Sequence, residues 1–139
     1  DHTGSTAVAG LDARDIIDVQ ITVAALDVAD ELADNLLQAG YPRVDSITAD
    51  TALAGRDELW HKRFHASADP GRPTHIHIRV DGSPNQRFAL MFTDWLNANP
   101  AARSEYQEFK RRRSGSPGDW FAAAYPRAQS WAQGAGWTT

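Results

Sequence analysis

The chain has 139 residues, a formal charge of −4, 42% apolar and 23% charged residues, which describes one domain with a packed core and leaves little room for a second. The acidic balance argues against a general nucleic-acid binder, which is ordinarily basic. No apolar run approaches a membrane span, no signal peptide opens the sequence, and the lack of cysteine removes disulfides, thiolate catalysis and cysteine zinc sites together, a composition that fits a cytoplasmic protein.

A Gly4-Ser5 turn stands close to the start of a sequence with no initiator methionine, and this predicts an excerpt of a longer chain. Residues 16–23, IIDVQITV, alternate: Ile17, Val19, Ile21 and Val23 point one way, Asp18, Gln20 and Thr22 the other. That is a strand with one face in the core. Residues 25–39 carry Leu26, Ala29, Leu32, Ala33, Leu36 and Leu37 at helical spacing, with Gly40 as the stop. Strand followed by helix begins an α/β domain, bordering on α+β. Residues 41–59 carry a weak signal and read as irregular, with a short strand over 44–47. Two alternating runs, 60–66 and 74–80, flank Asp69-Pro70-Gly71 and predict a β-hairpin with a long loop.

After Gly82 the pattern turns helical. Ser83-Pro84 reads as N-cap and first helical residue, ahead of a stripe of Phe88, Met91, Phe92, Trp95 and Leu96. Asn99-Pro100 restarts the pattern, and Tyr106 and Phe109 face inward from a second helix. It ends in Lys110-Arg111-Arg112-Arg113, where cations complement the helix dipole. Residues 114–119 read as a loop, and a last helix from about Trp120 is expected to bend or break at Pro126.

The hairpin concentrates chemistry. His61, Arg63 and His65 share one face of its first strand; His75, His77 and Arg79 share one face of its second. The opposite faces carry Trp60 and Phe64, and Ile76, Ile78 and Val80, which assigns them to the core and leaves Lys62 as the misfit. If both strands bury their apolar faces against the same helices, the polar sets converge with Asp18, Gln20 and Thr22. Such a face suits a divalent metal held by Asp18 with His75 or His77. It also suits a phosphate held by Arg63, Arg79, His61, His65 and the backbone of Gly4 and Ser5. The plain alternative is a solvated strand face, on which His, Arg and Asp are ordinary residents.

The blocks GSTAVAGL, IID, HIHI and GSPNQRFALMFTDWLNANPAARSEYQEFKRR resemble the GrpB family, collinearly from Gly4 to about Arg113. In finer detail, DHTGSTAVAGLDARDIIDVQITV, with Asp15, Gln20 and the WAQGAGW ending, resembles GrpB-type domains at the C-terminus of actinobacterial dephospho-CoA kinases. The resemblance implies a nucleotidyltransferase-like fold over residues 1–139, a mixed sheet with helices packed on one face and a C-terminal helical segment, and a kinase domain in cis upstream. It places Gly4-Ser5 on the turn and Asp18 at the first metal-carboxylate position, for Mg2+ or Mn2+ and for catalysis. Active members of the wider superfamily carry two carboxylates separated by one residue, because two metals flank the reacting phosphoryl group; here Gln20 stands second. Asp15 replaces a proline common in the family, which alters the link into the strand. No G-x-x-x-x-G-K-[ST] occurs, so the ATP-dependent phosphorylation of dephospho-CoA, the last step of coenzyme A synthesis, is not this chain's own chemistry. The implied role is an accessory domain that assists folding or regulation, with a nucleotide as its ligand. The alternative is a metal-dependent nucleotidyl or phosphoryl transferase using Asp18 and the His/Arg face. An interaction module carried by Trp95, Trp120, Trp131 and Trp137 ranks last.

Overall fold

In a computed structural model that describes residues 1–12, 16–112 and 115–138, the polar strand with Asp18 lies inside a mixed sheet. Its strands are β1 (His2–Thr3), β2 (Ile17–Val23), β3 (Arg63–Ala66) and β4 (Thr74–Val80), in the order β1-β2-β4-β3. The two seven-residue strands β2 and β4 are parallel and central; β1 and β3 run antiparallel along the edges. Asp15, Arg113 and Ser114, on which parts of the sequence reading rest, lie outside the described residues.

A parallel pair needs a crossover, and α1 (Leu26–Glu31) and α2 (Ala33–Gln38) begin it. The single helix expected over 25–39 is divided at Leu32, whose N–H is shared between the carbonyls of Val28 and Ala29. Gly40 ends the segment at φ 98°, a left-handed cap that lets Tyr41 N–H reach Leu36 O at 2.8 Å. Val23, Ala29, Ile76 and Ile78 are buried between this segment and one face of the sheet.

A second core lies among α3 (Pro84–Ala98), α4 (Pro100–Arg112) and α5 (Pro117–Ala135). The expected stripe of α3 is its centre: Met91, Phe92, Trp95 and Leu96 are buried. Ala124, Ala128 and Ala132 of α5 are buried against the same cluster, small side chains that admit close helix approach. Helix α5 starts at Pro117, earlier than expected, with Ser116 Oγ accepting from Gly118 N–H at 3.1 Å. It continues through Pro126, where a bend or break was expected, with Ala124, Ala128 and Ala132 on both sides of the proline buried against one core. Among the described residues no helix is long and apolar enough to cross a membrane.

Two expectations are corrected around β3. The strand begins at Arg63, and Trp60 instead closes a 3-10 turn, Asp57–Trp60. No strand forms over 44–47; isolated bridges pair Arg43 with His65 and Ala49 with His61, laying residues 43–50 along the free edge of β3.

The larger correction concerns faces. In β3–β4 pairing, Arg63 stands opposite Ile78, Phe64 opposite His77 and His65 opposite Ile76. Residues directly opposite share a face, so Arg63 and His65 lie on the side of Ile76 and Ile78, and Phe64 lies with His77. Alternation within a strand does not fix its register against a neighbour, and a one-residue slip reverses every side chain. The expected convergence of both arginines and all four histidines is therefore undone. Arg63 is bound by Asp30 of α1, its Nε donating to Oδ1 at 2.7 Å and its Nη2 to Oδ2 at 3.3 Å. His65 is fully buried, with Nδ1 2.8 Å from Tyr41 O and, among the described residues, no partner for Nε2.

Candidate functional site

On the sheet face away from α1, the parallel register sets Asp18 beside His75 and Gln20 beside His77. His77 Nε2 is 3.0 Å from Asp18 Oδ1, and His75 Nδ1 is 3.7 Å from the same oxygen. Gly4 presses on the other oxygen: a Cβ there would stand 2.5 Å from Asp18 Oδ2, and φ is 71°. Only glycine combines that backbone conformation with that approach. Ser5 opens the short 3-10 turn Ser5–Ala7 beside it, and His61 is exposed.

Behind the histidine lies a network that the sequence reading did not contain. Asp50 accepts from Arg79 Nε at 2.8 Å, Arg79 Nη2 at 3.2 Å, Lys62 Nζ at 2.6 Å and Asn85 Nδ2 at 3.0 Å. Gln20 is buried; its Oε1 accepts from Arg79 Nη1 at 2.7 Å and its Nε2 donates to Gln86 O at 3.2 Å. Lys62, the misfit in the alternation, was the one visible signal, since it stands on the polar side of the true register. Asp50 gave none, because it comes from an irregular segment held by backbone bonds such as Asp50 N–H to Trp60 O at 2.9 Å.

The electrostatics follow from burial. Burial opposes the charge on Asp50, but the hydrogen bonds and charge of Arg79, with Lys62, hold its carboxyl far below the ordinary carboxylate range. Burial lowers Lys62, against the pull of Asp50. His77 lies below its ordinary 6.5, chiefly through burial; the Asp18 hydrogen bond opposes this and the charges of Arg79 and Lys62 reinforce it.

The pH dependence has a definite sign. Below pH 6.5 the unfolded chain binds a proton at His77 before the folded chain does, so stability falls as pH falls toward the depressed folded value. Asp50 acts in the same direction further down: its contribution is present above the ordinary 3.8 and is lost as pH falls below it. His77→Gln is expected to flatten the upper part of the curve, read by urea denaturation across the pH range, and to leave the lower part. An unchanged upper slope would assign it to another group.

Asp18, His75 and His77 present ligand atoms within 4.8 Å of one another, a spacing that could hold an ion. Their chemistry does not fit the implied Mg2+, and the hydrogen bonding of His77 sets it against the implied Mn2+ as well. Mg2+ prefers oxygen ligands, whereas this set has one carboxylate and two imidazoles, and the Gln20 oxygen is engaged by Arg79. More decisively, His77 Nδ1 faces two donors, Lys62 Nζ at 3.1 Å and Arg79 Nη2 at 3.4 Å. Nδ1 must therefore be the acceptor, which puts the ring proton on Nε2, pointing at Asp18. A ligating imidazole needs the reverse: a bare nitrogen toward the metal and an N–H toward an acceptor.

The polar groups floor a cavity of about 450 Å3 between the sheet and the helices. Asp18, Asp50, His77, Arg79 and Asn85 line one side; Phe88, Phe92, Tyr106 and Phe121 line the other, with Gly4 and Ser5 also contributing. The basic end of α4 ties this margin down: Lys110 Nζ donates to Ser5 Oγ at 3.0 Å and Asp12 O at 3.1 Å, and Arg111 pairs with Asp12 at 2.7 Å.

A four-stranded mixed sheet with α1 and α2 over one face, and α3–α5 over the other enclosing a ligand-sized cleft beside an aspartate–histidine pair, defines a small α/β domain, with helices on both faces where one was expected. The family model described as GrpB protein matches residues 1–130, and the chain belongs to the GrpB family. It is 52% identical to a dephospho-CoA kinase of Mycobacterium tuberculosis over 99% of this chain, and 48% identical to that of Mycobacterium leprae over the same share. The chain spans 40% of the length of these curated relatives. A UPF0157 protein of Streptomyces coelicolor is 33% identical over 80% of this chain and 52% of its own. The crystal structure of the conserved protein GrpB from Enterococcus faecalis superposes with TM-score 0.67 at 24% identity, covering 99% of this chain and 81% of that one, which establishes the shared fold.

Proposed function

We propose that the chain is an accessory domain of a dephospho-CoA kinase, acting on the folding or regulation of a kinase domain joined to it in cis and performing neither phosphorylation nor nucleotidyl transfer. The observation that carries this reading is Gln20. On a nucleotidyltransferase-like strand its position would hold the second metal carboxylate, but it is a buried amide engaged at both ends, by Arg79 and by the Gln86 carbonyl. Two-metal phosphoryl transfer needs carboxylates at both positions. The high identity to dephospho-CoA kinases and the absence of a P-loop support placing the kinase chemistry outside this chain. The metal-dependent transferase reading is weaker because the His77 proton occupies the direction in which a metal would bind.

The test is deletion of residues 1–139 from the full-length protein. Soluble, folded kinase is expected to fall several-fold in yield, or its activity to lose its normal response to substrate. Equal yield and equal kinetic constants with and without the domain would sink the reading, as would metal-dependent consumption of ATP or CTP by the chain itself.

A further inference from the structure

The cleft holds several charged groups, and they are not equally available. Arg79 is committed through Nε and Nη2 to Asp50 and through Nη1 to Gln20. Lys62 is committed to Asp50 and His77. Arg63, the other guanidinium expected to meet phosphate, is on the far face with Asp30. Lys110 is held by Ser5 and Asp12. A phosphate entering the cleft would displace existing partners and approach a carboxylate.

Asp18 is the opposite case. Its side chain is 27% exposed, and among the described residues it accepts one hydrogen bond, from His77. Gly4 crowds Oδ2 and His75 Nδ1 stands 3.7 Å from Oδ1, yet a carboxylate has about four lone-pair sites, so acceptor capacity remains on the exposed side. Asp18, Asp50, Lys62 and Arg79 sum to zero charge, and the two cations are the buried members, each under a tenth exposed. Across the cavity stands an aromatic wall in which Phe92 packs edge-on to Phe121 at 5.2 Å and to Tyr106 at 5.4 Å. Aromatic faces attract cations and stack on flat rings. The cavity, about 450 Å3, lies in the range of small-molecule sites.

We propose that this cleft binds a flat aromatic molecule carrying an amino or amidine group, its ring against Phe88, Phe92, Tyr106 and Phe121 and its N–H donors on Asp18. The recognised chemistry is an N–H donor edge on an aromatic body, which an organic cation or a neutral amino-substituted heterocycle can supply. The site does not depend on the accessory role, because its test reads the chain alone.

The experiment is an NMR titration of the protein with benzamidine, adenine, benzoate and inorganic phosphate in metal-free buffer. Saturable shifts at Ser5 and Tyr106 are expected with benzamidine, adenine or both, and not with benzoate or phosphate. Binding of benzamidine alone marks an organic-cation site; binding of adenine marks a neutral amino heterocycle. Asp18→Asn keeps an oxygen for His77 and is expected to weaken binding at least tenfold, with Phe88→Leu weakening it several-fold from the opposite wall. A thermal melt of each variant separates lost binding from lost fold, and the comparison of benzamidine with benzoate needs no variant. Benzoate or phosphate binding as tightly as the amines, no binding by either amine, or full affinity in folded Asp18→Asn would overturn the proposal.

Discussion

Asp50→Leu is expected to destabilise the protein strongly, in the lower half of the roughly 3–5 kcal/mol typical of breaking a buried ion pair. The reason is what stays behind. Lys62 and Arg79 have side chains only 7% and 8% exposed, and Asp50 is their shared counter-ion. Leucine removes the anion and leaves two buried cations within reach of each other. The 22% exposure of Asp50 admits some solvent screening, which places the expectation in the lower half. Urea denaturation at neutral pH reads the effect directly. Adding Lys62→Met to the variant is expected to recover part of the loss, since one of the stranded charges disappears with it. A loss below about 1 kcal/mol, with no recovery in the double variant, would mean that the two cations find water without Asp50.

That network also marks where sequence reasoning stopped. The alternation of 17–23 placed Asp18, Gln20 and Thr22 on one face because a side-chain period of two is local information. The same reasoning placed His75, His77 and Arg79 together on β4. It failed for Arg63 and His65, since the register of β3 against β4 is set by the intervening loop and by tertiary contacts, not by either strand's own pattern. Lys62 looked anomalous only because the face had been assigned the wrong way. Asp50 was invisible for a different reason: its position depends on bridges from residues 43–50 to β3, a long-range arrangement without periodicity. Gln20 was legible as a missing carboxylate but not as a partner of Arg79. Four of the five stripe residues expected on α3 are buried and Phe88 is half-buried at the cleft, because helix burial follows directly from spacing over several turns; the buried polar Asn85, Gln86 and Thr93 carry no such signal.

Trp60→Ala is expected to cost about 3–5 kcal/mol, the range for removing a large buried aromatic side chain. Trp60 is 1% exposed, donates through Nε1 to Ala54 O at 2.8 Å, and meets Tyr125 of α5 edge-on at 6.0 Å. Its side chain belongs to the helical core, while its carbonyl accepts from Asp50 N–H at 2.9 Å and from Asn85 Nδ2 at 3.0 Å. One residue thus seats the helices and aligns the carboxylate that anchors the cations. Truncation opens a void beside Tyr125 and also enlarges the cleft, which Trp60 helps to line. Trp60→Phe keeps most of the volume and loses the Nε1 hydrogen bond, whose acceptor lies on exposed Ala54 and can turn to water, so a smaller cost, about 0.5–1.5 kcal/mol, is expected. Denaturation midpoints of the two variants separate packing from hydrogen bonding. Near-equal losses would assign the stabilisation to the hydrogen bond, whereas the larger loss in alanine ties the polar floor of the cleft to the packing of the helices above it.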